Sequence, residues 1–406
     1  MRLSHNMIFK NNLNSILSNQ QEVNKAQEQV TTQKRVLSAS DDPSAMARAL
    51  LYTDKIKVNE QYSKNTAMLN SRLETQESIL DNIKDSLLRA NQLTIQAGSG
   101  SLSASDKKAI SEEINTITAA VFSWMNSKSE DGRYIFSGYQ DNTQTYSYDN
   151  TQNKYVYNGD QGQHKIKVAD TVEIPSSDNG FEVFEKVDKR LNIDYSSIAP
   201  ATSSVYVNTQ NIFDDFHKNN YNADPTAPAT ANTITINVTS ATTFDVVQGG
   251  SIIQSGTFAG GNSFNVSGMD ISFTGAAPTS LSFDLEPPKH QNVLNTLDSL
   301  AKALNDPSLN NADYQQELSD AVVGLQNATN TISQTQARLG GRYNTVQRVI
   351  SANQALDINN KLNKAELVEI DMAEAITELT KHETALQASQ ATFGRLSNLS
   401  LLDYIR

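Results

Sequence analysis

The chain has 406 residues, a formal net charge of −12, 9 prolines, 18 glycines and no cysteine. That length points to two or three domains, and a hydrophobic fraction of 38% is low for one globule of this size, so the apolar residues must be concentrated to build a core. The absence of cysteine excludes disulfide scaffolds, thiolate metal sites and cysteine nucleophiles together, while fitting passage through an oxidising environment.

At the N-terminus, Asn6, Lys10, Asn11 and Asn12 interrupt any apolar stretch, so no signal-peptide core is expected and export would need a route without a cleaved signal. Phe9, Ile16, Val23, Val30 and Leu37 recur every seven residues between mostly amide and polar neighbours, the pattern of a narrow coiled-coil seam. A break is expected at Ser40-Asp41-Asp42-Pro43. Asp42 is placed to cap the next helix and Pro43 to open it, where its missing N–H costs nothing. That helix is expected to run to Ala97, with Gly98 closing it and Leu69, Leu73, Leu80, Ile83, Leu87 and Ala90 along its seam. A capping-box-like signal at Ser103-Ala104-Ser105-Asp106 starts a third helix carrying Ile110, Ile114, Ile117, Val121 and Trp124.

The middle is a different material. Residues 140–290 hold seven of the nine prolines, ten of the eighteen glycines and a net charge of −9. Ile234–Val238, Ile271–Phe273 and Leu281–Leu285 alternate with period two and read as strands, with turns at Gly249-Gly250 and Gly260-Gly261. A hairpin is expected from Tyr155–Tyr157 through Asn158-Gly159 to Ile166–Val168. Beyond it, Leu318, Val322, Leu325, Ile332, Leu339, Val346 and Ile350 fit one seam, with Thr329, Gln336 and Tyr343 in the remaining slots. The phase is lost near Asn359 and Asn360. A last helix restarts it with Ala365, Val368, Met372, Ala375, Leu379, Leu386, Phe393 and Leu396.

The fold class is therefore mainly α with an inserted β domain: long N- and C-terminal helices pairing as a coiled coil or bundle around a central β-rich region. The expected domains are 1–41 with 363–406 for the terminal helices, 42–139 with 290–362 for a helical bundle, and 140–289 for the insert.

A search for chemistry returns nothing above noise. The five histidines have no partner at metal-ligand spacing, and four residues after His382 stands Leu386 where a second ligand would be needed. Phosphate-binding loops and nucleophile elbows are absent, and Asp214-Asp215 reads as solvated surface. No catalytic residue, metal or cofactor is expected. The acidic balance and lack of a basic patch argue against nucleic acid, and no apolar run of roughly 18 residues is available to enter a membrane.

The thin seams leave Leu13, Leu17, Ile376, Leu399, Leu401, Leu402 and Ile405 without partners in a single chain. Neighbouring copies in an assembly would cover them, so that binding drives folding. An ordinary helical bundle has the same periodicity, which does not separate intrachain from interchain burial. On the assembly reading the interface comprises Phe9, Ile16, Val23, Val30, Leu37, Val368, Met372, Leu379, Leu386, Phe393, Leu399 and Leu402.

Arg35-Val36-Leu37-Ser38-Ala39-Ser40-Asp41-Asp42-Pro43-Ser44-Ala45 resembles the N-terminal signature of the flagellin family, and Asp371–Ile376 through Leu399–Ile405 resembles its C-terminal signature. Pro43 after the paired aspartates, Gly132–Gly138 and Phe283–Pro288 resemble the hook–filament junction branch of that family more than filament flagellin. The resemblance implies a structural subunit exported through the flagellar type III apparatus and assembled as a ring. It also implies hook-associated protein 1 as partner on the hook side, flagellin on the filament side and an export chaperone on the C-terminal helix. Filament flagellin itself is the alternative. A secreted adhesin or binding module is a further one, for which Tyr139, Tyr146, Tyr148, Tyr155 and Tyr157 would supply the surface.

Overall fold

The computed structural model describes residues 5–100 and 102–404, with side chains described over 7–100 and 102–395. Helix α1 (His5–Thr32) is followed by α2 (Pro43–Ala97) and α3 (Ala104–Met125). Four short strands come next, β1 (Tyr146–Asp149), β2 (Lys154–Tyr157), β3 (Lys165–Lys167) and β4 (Glu173–Pro175). The β domain comprises β5 (Ile193–Ala199), β6 (Ser204–Val207), helix α4 (Gln210–Asn220) and β7 (Thr233–Ser240). It continues through β8 (Thr243–Gln248), β9 (Ser251–Thr257), β10 (Ser263–Val266), β11 (Met269–Ser272) and β12 (Thr279–Leu285). Helices α5 (Val293–Asn305), α6 (Asn311–Val368) and α7 (Met372–Tyr404) complete the chain.

These elements form two compact units. One comprises the described parts of Met1–Met68, Lys167–Glu173 and Thr345–Arg406; the other comprises Leu69–Ile166 and Ile174–Asn344. Each of the long helices α2 and α6 contributes one part to each unit.

Local chemistry places the helix ends where the residues indicate. Asp42 accepts from the Ala45 amide at 3.0 Å, and Pro43 opens α2. Ser103 and Asp106 form a reciprocal capping box at α3, with bonds of 3.2 and 3.0 Å. Asn292 caps α5 through Leu294. In the second unit the apolar seam of α2, from Leu69 through Leu93, is buried, as are Ile114 and Val121 of α3, Leu297 and Leu300 of α5, and Leu325 and Ile332 of α6.

In the β domain an antiparallel five-stranded sheet, order β5-β12-β7-β8-β9, and a three-stranded sheet, order β10-β11-β6, share one core. Ile234, Ile236 and Val238 of β7 and Leu281, Phe283 and Leu285 of β12 point into it, as their period-two alternation requires. Gly249 and Gly250, at φ of 57° and 84°, close the two-residue turn between β8 and β9, a backbone that side-chain-bearing residues adopt poorly.

Four expectations are corrected. Tyr155–Tyr157 does not pair with Ile166–Val168. Instead β2 pairs with β1, bringing Tyr157 opposite Tyr146 and Tyr155 opposite Tyr148, while β3 pairs with β4. Aromatic cross-strand pairs outweigh the turn signal at Asn158-Gly159. Helix α1 ends at Thr32, before Leu37, because Gln33 adopts a φ of 58°. Helix α6 continues through Asn359 and Asn360 to Val368, since asparagine costs a helix only a few tenths of a kcal/mol and no Gly or Pro stands there. The break falls instead at Glu369–Asp371, where Asp371 caps α7 through Ala373 at 2.8 Å. Finally, Tyr343 is exposed, and the seam slot between Leu339 and Val346 is taken by Arg342.

Candidate assembly surfaces

Helices α1 and α7 run antiparallel against each other. The rings of Phe9 and Phe393 meet at 5.0 Å, and Asn19 donates to Ser389 Oγ at 2.8 Å. Along this seam Val23 and Ala26 are buried, as is Ala375 on α7; Ile16, Val30, Leu379, Leu386 and Phe393 are half-buried. Much of the predicted interface thus lies in a seam within the chain. Leu37 is half-buried in the segment joining α1 to α2. Val368 is the last residue of α6, and exposed Met372 the first of α7. The side chains of Leu399 and Leu402 lie outside the described residues.

The two inter-helix segments are stitched to each other. The Arg35 amide donates to Val368 O at 2.7 Å, Ile370 N to Gln33 O at 3.3 Å, and Lys34 and Glu369 form a β-bridge. Asp41 accepts from the Leu37 and Ser38 amides at 3.2 and 3.0 Å. These amide bonds, that from Ser38 foremost, hold its carboxyl below the usual range, and the Ala45 amide does the same for Asp42. The paired aspartates therefore stay ionised and fix the turn.

Outside this seam the first unit leaves apolar side chains in solvent: Met7, Leu13 and Leu17 on α1, Leu50, Leu51 and Val58 on α2, Leu356, Ile358 and Leu362 on α6, and Ile376 on α7. Among the described residues, thirteen of the twenty-two exposed large apolar side chains belong to this smaller unit. Concentrated exposed apolar surface marks a binding face.

The tyrosines expected to form a binding surface are mostly internal. Tyr146 is fully buried with its hydroxyl on Gly180 O at 3.1 Å, and the Tyr157 hydroxyl donates to Phe136 O and Asp160 O. Tyr139 and Tyr148 remain exposed. Among the described residues no cluster of three or more His, Asp or Glu side chains is arranged to hold a metal, and no helix is long and apolar enough to cross a membrane. The described histidines make ordinary contacts: His164 meets Tyr139 edge to face, His290 pairs with Asp188 at 3.0 Å, His382 lies 3.4 Å from Glu378, and His217 is buried against Tyr221.

Two buried charge clusters escaped the sequence reading. Asp178 accepts both Arg342 nitrogens, at 2.9 and 2.7 Å, and a bond from Gln76 at 3.1 Å. Gln76 falls at the seam slot between Leu73 and Leu80, and Arg342 at that between Leu339 and Val346; polar residues in an apolar seam were the available signal. The second cluster surrounds Arg190, which no periodicity flags.

Known proteins match the two ends of the chain and, in one case, its full length. The sequence pattern of the bacterial flagellin N-terminal helical region matches residues 3–141, and that of the bacterial flagellin C-terminal helical region matches residues 322–405. Flagellar hook-associated protein 3 of Salmonella typhimurium is 23% identical over 410 residues, covering all of both chains. The Escherichia coli protein of that name is 27% identical over 187 residues, 46% of this chain and 58% of that protein, so this alignment spans little more than half of the relative. A phase 1 flagellin of Salmonella naestved is 35% identical over 111 residues, 27% of this chain and 21% of that one. Among solved structures, flagellar hook-associated protein 3 of Legionella pneumophila aligns with a TM-score of 0.60 at 23% identity, covering 78% of this chain and 98% of that one, a likeness of fold.

Proposed function

A chain whose two ends match the flagellin patterns over more than half of its length belongs to the flagellin family, and from that membership we propose that it is a structural subunit of the bacterial flagellum, joining hook to filament. The observation that carries this reading is the end-to-end correspondence with the Salmonella hook-associated protein 3, against a flagellin match confined to 111 residues. The exposed apolar faces of α1, α2, α6 and α7 support it, since a ring of copies would cover them.

On this reading the paired terminal helices form the self-assembling part and the acidic β domain stands clear, where like charges on neighbours discourage nonspecific contact. One face of the ring meets hook-associated protein 1 and the other the first flagellin subunits. Before assembly, an export chaperone covers the apolar stripe of α7. The role is structural and the chain is exported without a cleaved signal.

Deleting the gene and following flagellin tests the proposal. Intact hooks with unpolymerised flagellin in the medium are expected. Loss of the flagellin-sized protein from both filament and medium would instead make this chain the filament subunit, and intact filaments would favour the adhesin reading.

A further inference from the structure

Two segments, residues 187–192 outbound and 286–291 returning, join the β domain to the helices of the same unit, and they are tied thinly. Gln291 N donates to Val187 O at 2.9 Å, Lys189 N to Lys289 O at 2.9 Å, and Glu286 N to Asn192 O at 3.0 Å. Between Glu286 and Lys289 stand Pro287 and Pro288, which have no N–H to add to the ladder. The bonds across such a neck hold its two strands side by side but offer little resistance to bending.

Arg190 fills that gap, its side chain 1% exposed. Nε donates to Gln210 Oε1. Nη1 donates to Asp320 Oδ1 at 2.9 Å and Gln316 O at 3.4 Å, and Nη2 to Gln316 Oε1 at 2.8 Å and Val207 O at 3.1 Å. All five guanidinium hydrogens therefore have an acceptor. Those acceptors come from both bodies the neck connects: Val207 and Gln210 belong to the β domain, Gln316 and Asp320 to α6. Gln210 is itself held on Leu191 O at 3.0 Å, and the Tyr195 hydroxyl donates to Gln316 at 2.9 Å. Beside this cluster lies an open cavity of about 310 Å³, bordered by Ile95, Leu318 and Val322, where packing leaves room for a tilt.

We propose that Arg190 is a lock that sets the angle at which the β domain stands on α6, and that its release turns the two-stranded neck into a hinge. The planar fork matters, not the charge alone: a lysine supplies a point charge with three donors and cannot span acceptors on both bodies.

The chain has no cysteine, so spin labels attach cleanly to Ala276→Cys in the β domain and Ser299→Cys on α5, both exposed. In the full chain with Arg190 intact, electron–electron resonance should give one narrow distance distribution. Arg190→Met and Arg190→Lys should at least double its width, while hydrogen-exchange protection of β7 and β12 stays unchanged. An unchanged width in either variant overturns the proposal. Where Arg190→Met also loses protection in β7 and β12, Gln316→Ala decides. Broadening with protection kept supports the lock, whereas unaltered distances, or protection lost there too, show that the cluster serves only general stability.

Discussion

Replacing Leu13, Leu17 and Ile376 together by serine should cost the isolated chain no more than the covered halves of these side chains contribute, yet prevent it from assembling. These side chains are 41%, 55% and 52% exposed, so roughly half of each remains to be covered. Full burial of a leucine or isoleucine side chain is worth about 1.5–3 kcal/mol, which leaves about 1 kcal/mol each for the uncovered half. The triple variant then loses about 3 kcal/mol per subunit, or roughly a hundredfold in association constant. In a closed ring every subunit carries the same loss, so the defect compounds around the circle. Val23 is the control, because at 8% exposure it already sits in the seam between α1 and α7. Val23→Ser should lower the melting temperature of the monomer by several degrees, losing about 1.5–3 kcal/mol of burial. Circular dichroism melts of the purified proteins and filament counts in a complemented deletion strain give both readouts. If the triple serine variant lowers the melting temperature three times as far as Val23→Ser, its side chains are as fully buried in the intrachain seam as Val23. If it melts normally and builds filaments in wild-type number, they take no part in assembly; either result refutes the reasoning.

Two further outcomes follow from buried polar groups in the second unit. Asp178→Ala removes the acceptor of the Arg342 fork and of Gln76, and should cost about 3–5 kcal/mol in denaturant unfolding, because it strands a buried guanidinium; a loss under 1 kcal/mol would mean that water reaches the arginine. His217 is buried, stacks on Tyr221 and donates to Glu286 O at 2.8 Å, and burial holds its pKa below the ordinary value. Its neutral form is the one the fold accepts, so its contribution is complete above the unfolded value of about 6.5 and is lost as pH falls through the lower folded one. Melts of the wild type should therefore drop between neutral pH and pH 5 more steeply than those of His217→Gln, and parallel curves would exclude the histidine.

The legible parts of this fold are those governed by neighbouring residues. Asp42-Pro43 and Ser103–Asp106 specify helix ends through bonds three residues long, and both form as their chemistry requires. Ile234–Val238 and Leu281–Leu285 alternate because one face is buried, and they become β7 and β12. Leu13, Leu17 and Ile376 were left over from the heptad count and are exposed. Choices made over distance were less legible. The Asn158-Gly159 turn lost to a pairing between β1 and β2 that depends on cross-strand tyrosine contacts, edge to face between Tyr148 and Tyr155. Tyr343 and Arg342 differ by a hundred degrees around α6, and only the position of Asp178 decides which faces inward. Strands β6 and β10 hold four residues each, too few for a period of two to stand out, while β5 and β9 are interrupted by serines. As for the assembly residues, periodicity marks a stripe without naming its partner, and most of the expected stripe is taken by the other end of the same chain.

That self-occupation has a thermodynamic consequence. Ordering backbone costs about 1–2 kcal/mol per residue, and a helix offsets this chiefly by burying side chains. Along the 28 residues of α1 only Val23 and Ala26 are fully buried among the described side chains. Over a similar length, α2 contributes Leu69, Leu73, Leu80, Ile83, Leu87 and Leu93 to the core of the second unit. The chain is thus robust through its middle and weakly held at α1 and α7, the elements that also carry Leu13, Leu17 and Ile376 into solvent. Any neighbour that covers those residues adds the burial the pair lacks, so binding and ordering of the ends are one equilibrium. The stability of α1 and α7 then rises above that of their own seam with the concentration of what binds them, by RT ln(1 + [L]/Kd) as that partner accumulates. On the assembly reading, α1 and α7 would gain rigidity only where neighbours cover Leu13, Leu17 and Ile376.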